Sequence, residues 1–419
     1  MNIWIISLFD PTPVDEPANT RFIGIADAGV SRGHKITHFT STFRHNHKKH
    51  RFDTNTTYQV NDHYEVVYIR SMSYKRNMFP KRFVAHWDFA RKLINDLNRR
   101  EAPDAIFISM PPLSTISAVT KWGRENSVPV VVDIIDPWPD SFIKDVPEPV
   151  KWLAKLLISP FYLSLSRSLN RASAISAISQ GYLSWASNHH QPKTTDFFYL
   201  AVNFGEVQGL YKEFASTQRK NDQVLRLIYS GSLASSYDIP TILKAAEILD
   251  TKYPGRTEFA ITGIGPQKAL IEEYQNRTSN IIYLGWVTKE ELIRQYSLSD
   301  IGLIQHKNSL TQTVTYKLFS YLSMGLPVLN SLQSEMVELI EENKVGMNNR
   351  EENTDELVEN IEKFLADPAI LIEYKKNALT FAGQQGDSRT VYDKLIQFIE
   401  NTTSEQSAIS QESVTQIIR

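Results

Sequence analysis

The sequence predicts an α/β protein with two doubly wound domains that face each other across a cleft. Short apolar stretches such as "AIFISM" and "PVVVDII" alternate with helical stretches, which is typical of parallel strands covered on both faces. The alternation stops at the polar stretch "YKEFASTQRKNDQ" and restarts at "LRLIYSG". The length of 419 residues also exceeds what one hydrophobic core usually serves.

The first half of the chain opens with the strand "NIWIISLF". We interpret it as a strand and not as a signal peptide, because it lacks a basic segment before it and a small-residue cleavage site after it. The helix "RFIGIADAGVSRG" follows and ends at Gly33. Further strands are expected at "HKITHFT", "YEVVYIRS" and "ASAISAIS", and a long amphipathic helix at "FVAHWDFARKLINDLNRR".

The second half repeats the alternation through "EFAITGIG", "NIIYLG" and "IGLIQ", with helices between these strands. We therefore expect one domain over residues 1–205 and another over 222–385. The helix at 386–400 is expected to return to the first domain. The polar tail at 401–419 is expected to be disordered.

The composition excludes several classes of protein. The formal net charge of −2 gives no overall basic field of the kind that nucleic-acid binders carry. Cysteine is absent, which excludes disulfides and thiolate chemistry. No apolar run reaches the length needed to span a bilayer.

The segment "VTYKLFSYLSMGLPVLNS" predicts a helix capped by Thr315 that ends at Gly325 before a buried strand. Lys317 falls in the first helical turn, where the helix dipole disfavours a cation. One interpretation is that an anion binds there, contacted by Lys317 and by the amides of Thr315 and Tyr316. The alternative is a solvated lysine on a surface helix.

Glycine turns and an acidic turn follow three other strands. Gly231 in "YSGSL" and Gly263 in "TGIGP" would allow close approach of a ligand to the backbone, or they simply serve the turn geometry. Asp133 and Asp136 lie in "VVVDIIDPWPDS". Asp136 precedes a proline that ends the strand, so it is the one expected to reach a site. It could equally cap the turn.

These motifs, in this order, resemble the retaining glycosyltransferases of family 4, which have the GT-B fold of two Rossmann-like domains. The similarity extends over nearly the whole chain to about residue 400. It is carried by "RGHKITHFTS", "PDAIFISMPPLS", "VVVDIIDPWPDS", "LIYSGSL", "ITGIGP", "IIYLGWV", "SDIGLIQ" and "YKLFSYLSMGLPVLNS". Members that build O-antigen, capsule and similar surface polysaccharides are the most similar in pattern.

The resemblance implies an acceptor site on the first domain and a nucleotide-sugar site on the second. It implies catalytic roles for Asp136 and Lys317, where the aspartate would position the acceptor hydroxyl or accept its proton. A loop at Asn19, Thr20 and Arg21 would lie beside the donor phosphate. The donor-binding residues would be Gly231, Ser232, Gly263, Gly285, Trp286, Val287, Gln312, Thr315, Tyr316 and Ser320.

The chain also departs from the family pattern. Gln312 and Ser320 occupy the positions where members commonly carry two glutamates, and Ser232 and Tyr237 occupy those of an arginine and a lysine. Two alternatives to a polysaccharide transferase therefore stay open. One is a catalytically impaired GT-B subunit of a polysaccharide-assembly complex, and the other is a sugar-nucleotide epimerase.

Basic-aromatic stretches follow strands of the first domain at "FRHNHKKHRF" and "SYKRNMFPKRFVAHW", and a third segment is "VKWLAKLLISPFYLSLSRSL". They are compatible with a lipid-linked acceptor at an anionic membrane, or with solvated loops and a core-facing helix. We expect a cytoplasmic protein, with peripheral contact at the cytoplasmic face of the inner membrane as an option. We expect no metal and no cofactor besides the nucleotide-diphosphate sugar, because no carboxylate pair ends a strand of the donor half.

Overall fold

A computed structural model describes residues 1–15, 21–75, 80–144, 146–191, 193–215, 223–307 and 312–417. The chain forms two compact units. The first unit comprises Met1–Tyr199 and Val391–Arg419, and the second comprises Leu200–Thr390. No helix within the described residues has the length and apolar character needed to cross a membrane.

The first unit is built on an eight-stranded sheet in the order β10-β9-β8-β7-β1-β2-β6-β5. All neighbours pair in parallel except β5 with β6, which are antiparallel. A separate hairpin consists of β3 and β4. The strands are β1 Asn2–Ile6, β2 Lys35–Ser41, β3 Phe43–Arg44, β4 Lys49–His50, β5 Thr56–Asn61, β6 Tyr64–Ile69, β7 Ala105–Met110, β8 Val130–Ile134, β9 Ala174–Ala177 and β10 Thr195–Phe197.

Helices connect the parallel strands of this unit, as the right-handed crossover of parallel strands requires. They are α1 Arg21–Ser31, α2 Lys81–Leu97, α3 Leu113–Glu125, α4 Glu148–Leu157, α5 Ser159–Arg171 and α6 Gln180–Ser187, with a short 3-10 helix at Asp140–Phe142. The central strands β7 and β8 are buried along their whole length, which explains why they are apolar without alternation.

The second unit is built on a six-stranded, all-parallel sheet in the order β13-β12-β11-β14-β15-β16. The strands are β11 Leu225–Ser230, β12 Thr257–Thr262, β13 Ile281–Gly285, β14 Ile301–Ile304, β15 Val328–Asn330 and β16 Gly346–Asn348. The helices are α7 Phe204–Ala215, α8 Ile239–Lys252, α9 Lys268–Gln275, α10 Lys289–Ser297, α11 Tyr316–Leu322, α12 Met336–Glu342, α13 Thr354–Ala366, α14 Pro368–Gln385 and α15 Ser388–Ile417, the last of which passes into the first unit. The two sheets bear out the α/β prediction from sequence.

Two predictions about the connections are wrong. The polar stretch "YKEFASTQRKNDQ", expected to separate the two domains, begins inside α7, which belongs to the second unit and pairs with α10 through Glu206 and Lys289. Residues 216–222 of this stretch lie outside the described residues. The tail expected to be disordered from residue 401 continues α15, and Thr402 in it is buried.

Candidate functional site

Lys317 lies in the first turn of α11, as the sequence predicts. Thr315 caps this helix, because its side-chain oxygen accepts a hydrogen bond from the Lys317 amide at 3.3 Å. The Lys317 side chain does not extend into solvent. Its Nζ is shielded from water and has no hydrogen-bond partner among the described residues. The interpretation of Lys317 as an ordinary solvated surface lysine is therefore wrong.

The ammonium of Lys317 lies between two aromatic faces. Its Nζ is 4.1 Å from the ring centroid of Tyr229 and 4.2 Å from that of Tyr237. Tyr237 also contacts the ring of His306, with 4.8 Å between centroids. The three residues come from β11, from the loop after it and from the end of β14, and these two strands are neighbours in the sheet. The cation is thus held at the carboxyl edge of the sheet, where ligands of such folds bind.

Among the described residues, no carboxylate pairs with the ammonium of Lys317. Burial lowers its pKa from 10.5 to about 7, because an ammonium loses its hydration there. Burial and, to a smaller extent, the charge of Lys317 lower the pKa of His306 to about 3, so this histidine is neutral. The Nε2 of His306 is buried and has no partner among the described residues. This cluster can therefore accept an anion without first breaking an ion pair.

Gly231 leaves the space that Lys317 occupies. A Cβ at this position would lie 2.9 Å from Cε and 3.1 Å from Nζ of Lys317, and the φ of +134° also favours glycine. Gly263 supports the same turn, since a Cβ there would lie 1.7 Å from the carbonyl oxygen of Gly231. The two predicted glycine turns are therefore packed backbone against backbone, and Gly231 itself stays exposed next to the ammonium.

Three of the predicted donor-binding residues, Gly285, Trp286 and Val287, lie at the end of β13 and directly after it. Gly285 has a φ of +66°, and its carbonyl oxygen already accepts hydrogen bonds from the Gly263 amide at 2.8 Å and from Thr262 Oγ1 at 2.7 Å. Trp286 is 69% exposed, which excludes the alternative that it belongs to the core. Val287 is half-buried. The exposed indole is available to a planar ligand group at this edge.

Four other predicted donor-binding residues, Ser232, Gln312, Tyr316 and Ser320, have polar side chains without charge. Ser232 is exposed and accepts a hydrogen bond through its carbonyl oxygen from the Tyr229 hydroxyl at 2.6 Å. Ser320 donates its hydroxyl to the Tyr316 carbonyl, one turn back in α11. Tyr316 is 45% exposed, and Gln312 is half-buried. Within the described residues, Lys317 thus remains the charged group among the predicted donor residues.

Asp136 lies after β8 in the first unit, at the carboxyl edge of that sheet. Its carboxylate accepts hydrogen bonds from the Trp138 indole at 2.9 Å and from the Ser141 hydroxyl at 2.5 Å. These bonds organise the turn before the 3-10 helix and match the turn-capping alternative. The residue is half-buried, so its remaining lone pairs are accessible.

Arg21 does not occupy the predicted place beside a phosphate. It is 6% exposed, and its guanidinium donates two hydrogen bonds to the Asp133 carboxylate at 2.9 and 3.0 Å. Its remaining nitrogen bonds the carbonyl oxygen of Phe198 at 2.8 Å. A fully satisfied, buried guanidinium is a structural pair and not a free anion site. Asn19 and Thr20 lie outside the described residues.

Asp10 was missed by the sequence interpretation. It follows β1 and precedes a proline, the same signal that singled out Asp136. Burial raises its pKa to about 7, and the Asp133 charge adds to this effect while Arg21 opposes it. One of its carboxylate oxygens is buried with no partner among the described residues. Asp10 is therefore poised to hold or release a proton near neutral pH.

Groups of three or more His, Cys, Asp or Glu side chains arranged to hold a metal ion are not found in the described part of the chain. The predicted independence from metal stays a prediction, since it concerns turnover.

We compared the chain with known protein families, curated sequences and solved structures. Residues 225–367 match the family model described as "Glycosyl transferases group 1". The match lies within the second unit and includes Gly231, Gly263 and Lys317. This part of the chain is therefore similar to the glycosyltransferase group 1 family. No curated protein sequence matches the chain significantly.

Solved structures match nearly the whole chain at low sequence identity. Sucrose-phosphate synthase from Thermosynechococcus elongatus is 13% identical, with a TM-score of 0.71 over 96% of this chain and 99% of that one. WaaG, a glycosyltransferase involved in lipopolysaccharide biosynthesis, is 15% identical, with a TM-score of 0.65 over 95% and 99%. Anabaena HepE in complex with UDP is 12% identical, with a TM-score of 0.68 over 96% and 100%. The chain thus has the GT-B fold that the sequence predicts.

Proposed function

We propose that this protein is a glycosyltransferase that moves a sugar from a nucleotide diphosphate to a lipid-linked or saccharide acceptor with retention of configuration. The observation that carries the proposal is the buried ammonium of Lys317, which has no hydrogen-bond partner among the described residues and lies beside Gly231 in the segment that matches the group 1 glycosyltransferase family model. HepE was solved with UDP and with UDP-glucose, which supports a nucleotide-sugar as the ligand class.

The departure of the nucleoside diphosphate places new negative charge on a phosphate oxygen. A preorganised cation in a site shielded from water stabilises such a charge at little reorganisation cost. Lys317 meets this requirement because the aromatic faces of Tyr229 and Tyr237 fix its position before the ligand arrives. The neutral residues Ser232, Ser320 and Gln312 then contact the sugar and phosphates without competing for charge.

The test of the proposal is a thermal-shift screen of the full chain against nucleotide-sugars, followed by an assay of transfer and hydrolysis. A true donor at about 100 times its Kd should add about 2.7 kcal/mol to the free energy of unfolding. Donor binding without hydrolysis or transfer would indicate an impaired subunit, and a changed sugar configuration in the recovered nucleotide-sugar would indicate an epimerase. Failure of every nucleotide-sugar to bind would contradict the proposal.

We further propose that the acceptor is presented at an anionic membrane in the synthesis of a surface polysaccharide. Helix α4 has no buried residue, and Trp152, Leu156 and Leu157 are 66%, 62% and 69% exposed. At 100° per residue these apolar side chains lie on one side of the helix, whereas Lys151 and Lys155 lie outside that apolar side. An amphipathic helix of this kind is suited to the interface plane of a bilayer.

The basic stretch at residues 43–52 contributes less free charge than its sequence suggests, because Arg44 and Arg51 both pair with Asp15. The membrane proposal therefore rests chiefly on α4. Co-sedimentation with vesicles should fall in a Trp152→Ser, Leu156→Ser variant and should weaken as salt rises. Equal binding of the variant and the unmodified protein would contradict a role for this helix, and equal binding to neutral and anionic vesicles would contradict the electrostatic part.

A further inference from the structure

The first unit contains a cavity whose lining includes none of the predicted site residues described above. It has a volume of about 280 Å³ and lies at the carboxyl ends of the neighbouring strands β7 and β8. One water needs only about 10–15 Å³ on this measure, so the cavity admits a small organic ring. Its walls come from α2, from the start of α3, from the turn after β8 and from α5.

Four aromatic rings contribute to this wall. The ring centroids of Phe83 and Phe161 are 5.5 Å apart, and those of Phe83 and Trp138 are 6.4 Å apart. His86 adds a fourth ring, 6.0 Å from Trp138. Such rings offer flat, polarisable faces to the C–H groups of a ligand.

Two polar groups in the wall have no partner. His86 is 2% exposed, and neither of its ring nitrogens has a hydrogen-bond partner within the described chain. The hydroxyl of Ser114 is likewise buried and unpartnered there. Buried polar groups are nearly always hydrogen-bonded, so this unpaired pair marks a place in the cavity where water or a polar ligand supplies the missing bonds.

The protonation state of His86 narrows the chemistry of that ligand. Burial lowers its pKa to about 3, and the nearby Arg82 adds to the effect, so the imidazole is neutral. A neutral imidazole offers one donor and one acceptor, and a serine hydroxyl offers both. Hydroxyl groups match this set, whereas an anion would match only its donors.

We propose that this cavity binds one sugar ring of the acceptor, with a C–H face on the aromatic rings and hydroxyl groups bonded to His86 and Ser114. A polyprenyl chain fits the aromatic wall less well, because it would displace water from both polar groups without replacing their hydrogen bonds. That the ring belongs to an acceptor rests on the proposed glycosyltransferase function. The inference that the cavity binds a saccharide is independent of that function, because it rests on the lining of the cavity.

The test uses saturation-transfer NMR with the full chain and no nucleotide. The probes are the methyl pyranosides of D-glucose, D-galactose, D-mannose, N-acetyl-D-glucosamine and L-rhamnose, with geraniol as the apolar comparison. At least one glycoside should bind. His86→Phe keeps the ring and removes both nitrogens, so it should weaken that glycoside at least tenfold without lowering Tm. An ordinary core histidine would show no such effect on binding.

Two further variants separate loss of the cavity from loss of the fold. Ser164 lines the cavity on α5, and Ser164→Phe should block the glycoside by filling the space. Ser184 is exposed on α6 and does not line the cavity, so Ser184→Phe is the matched control and should bind normally. Binding of geraniol alone, binding of no probe, or unchanged affinity in both His86→Phe and Ser164→Phe would overturn the proposal. The proposed glycosyltransferase function is tested separately, by nucleotide-sugar binding and hydrolysis, and would not be contradicted by these results.

Discussion

The Lys317→Met variant probes the ammonium that is buried between two tyrosine rings. Methionine keeps the length of the stem and removes the charge. The difference between the ordinary pKa of 10.5 and the value of about 7 in the fold corresponds to a burial cost of about 4–5 kcal/mol. The two contacts with Tyr229 and Tyr237 together return about 2–3 kcal/mol of this cost, since one cation–π contact contributes about 0.5–2 kcal/mol.

We therefore expect Lys317→Met to raise the free energy of unfolding by about 1–3 kcal/mol at pH 7, a gain of about 2–4 °C in Tm for each kcal/mol. The unfolded chain holds the lysine proton up to about pH 10.5, whereas the native chain releases it above about pH 7. The cost of burying the ammonium is therefore complete at about pH 7 and below, and it disappears as pH rises from about 7 to 10.5. The stabilisation by methionine should shrink accordingly toward pH 10.5.

Function should change in the opposite direction to stability. Losing one preorganised group that stabilises a developing anion typically lowers kcat by about 10²–10³-fold, and donor affinity should fall because the bound diphosphate is already charged. In the unmodified protein, donor affinity should decline as pH rises above about 7, and the variant should lack this dependence. The measurements are kcat, donor Kd and Tm from pH 6 to 10.

Lys252→Met is the matched control. Lys252 lies at the end of α8, is exposed, and pairs with Glu362 in a surface ion pair of small value. Its loss should leave transfer unchanged and Tm nearly so. A Lys317→Met protein that transfers sugar within about threefold of the unmodified protein would refute the proposed role. The charge would then be sought at Lys307, which lies next to His306.

Three other predictions concern the first unit and the metal. Asp136→Asn should lower kcat by about 10²–10⁴-fold with donor Kd unchanged if the carboxylate accepts the acceptor proton. A fall in Tm with near-normal kcat would instead show that its bonds to Trp138 and Ser141 are its whole role. For Asp10, the native pKa of about 7 exceeds the ordinary 3.8, so stability falls as pH rises through this window, and Asp10→Asn should raise Tm at pH 8 more than at pH 5 in calorimetry. A Tm difference that is the same at both values would contradict burial of that carboxyl. Sugar transfer should persist in excess EDTA, and complete loss restored by manganese or magnesium would show that Lys317 is not sufficient at the diphosphate.

Local sequence determined the architecture of both units. Continuous apolar runs of strand length, separated by helices, specify parallel sheets, because each strand must be covered on both faces. The cap at Thr315 and the turn at Gly231 were also readable, since each depends on the conformation of a few neighbouring residues. The helical period of its own sequence predicts that α4 has an apolar face. The sequence does not predict that this face is exposed, because an amphipathic helix can also bury it against its own domain.

Tertiary structure decided which charges are free. Arg21 and Lys317 looked alike in sequence, as single cations near the starts of helices that follow strands. The fold placed a buried carboxylate, Asp133, against Arg21, whereas the partners of the Lys317 ammonium in the described part of the chain are the faces of Tyr229 and Tyr237. The same holds for His86, whose unpaired nitrogens depend on what α3 and α5 bring to its cavity. The free energy of a buried ionisable group is set by neighbours distant in the chain, and no local period encodes those neighbours.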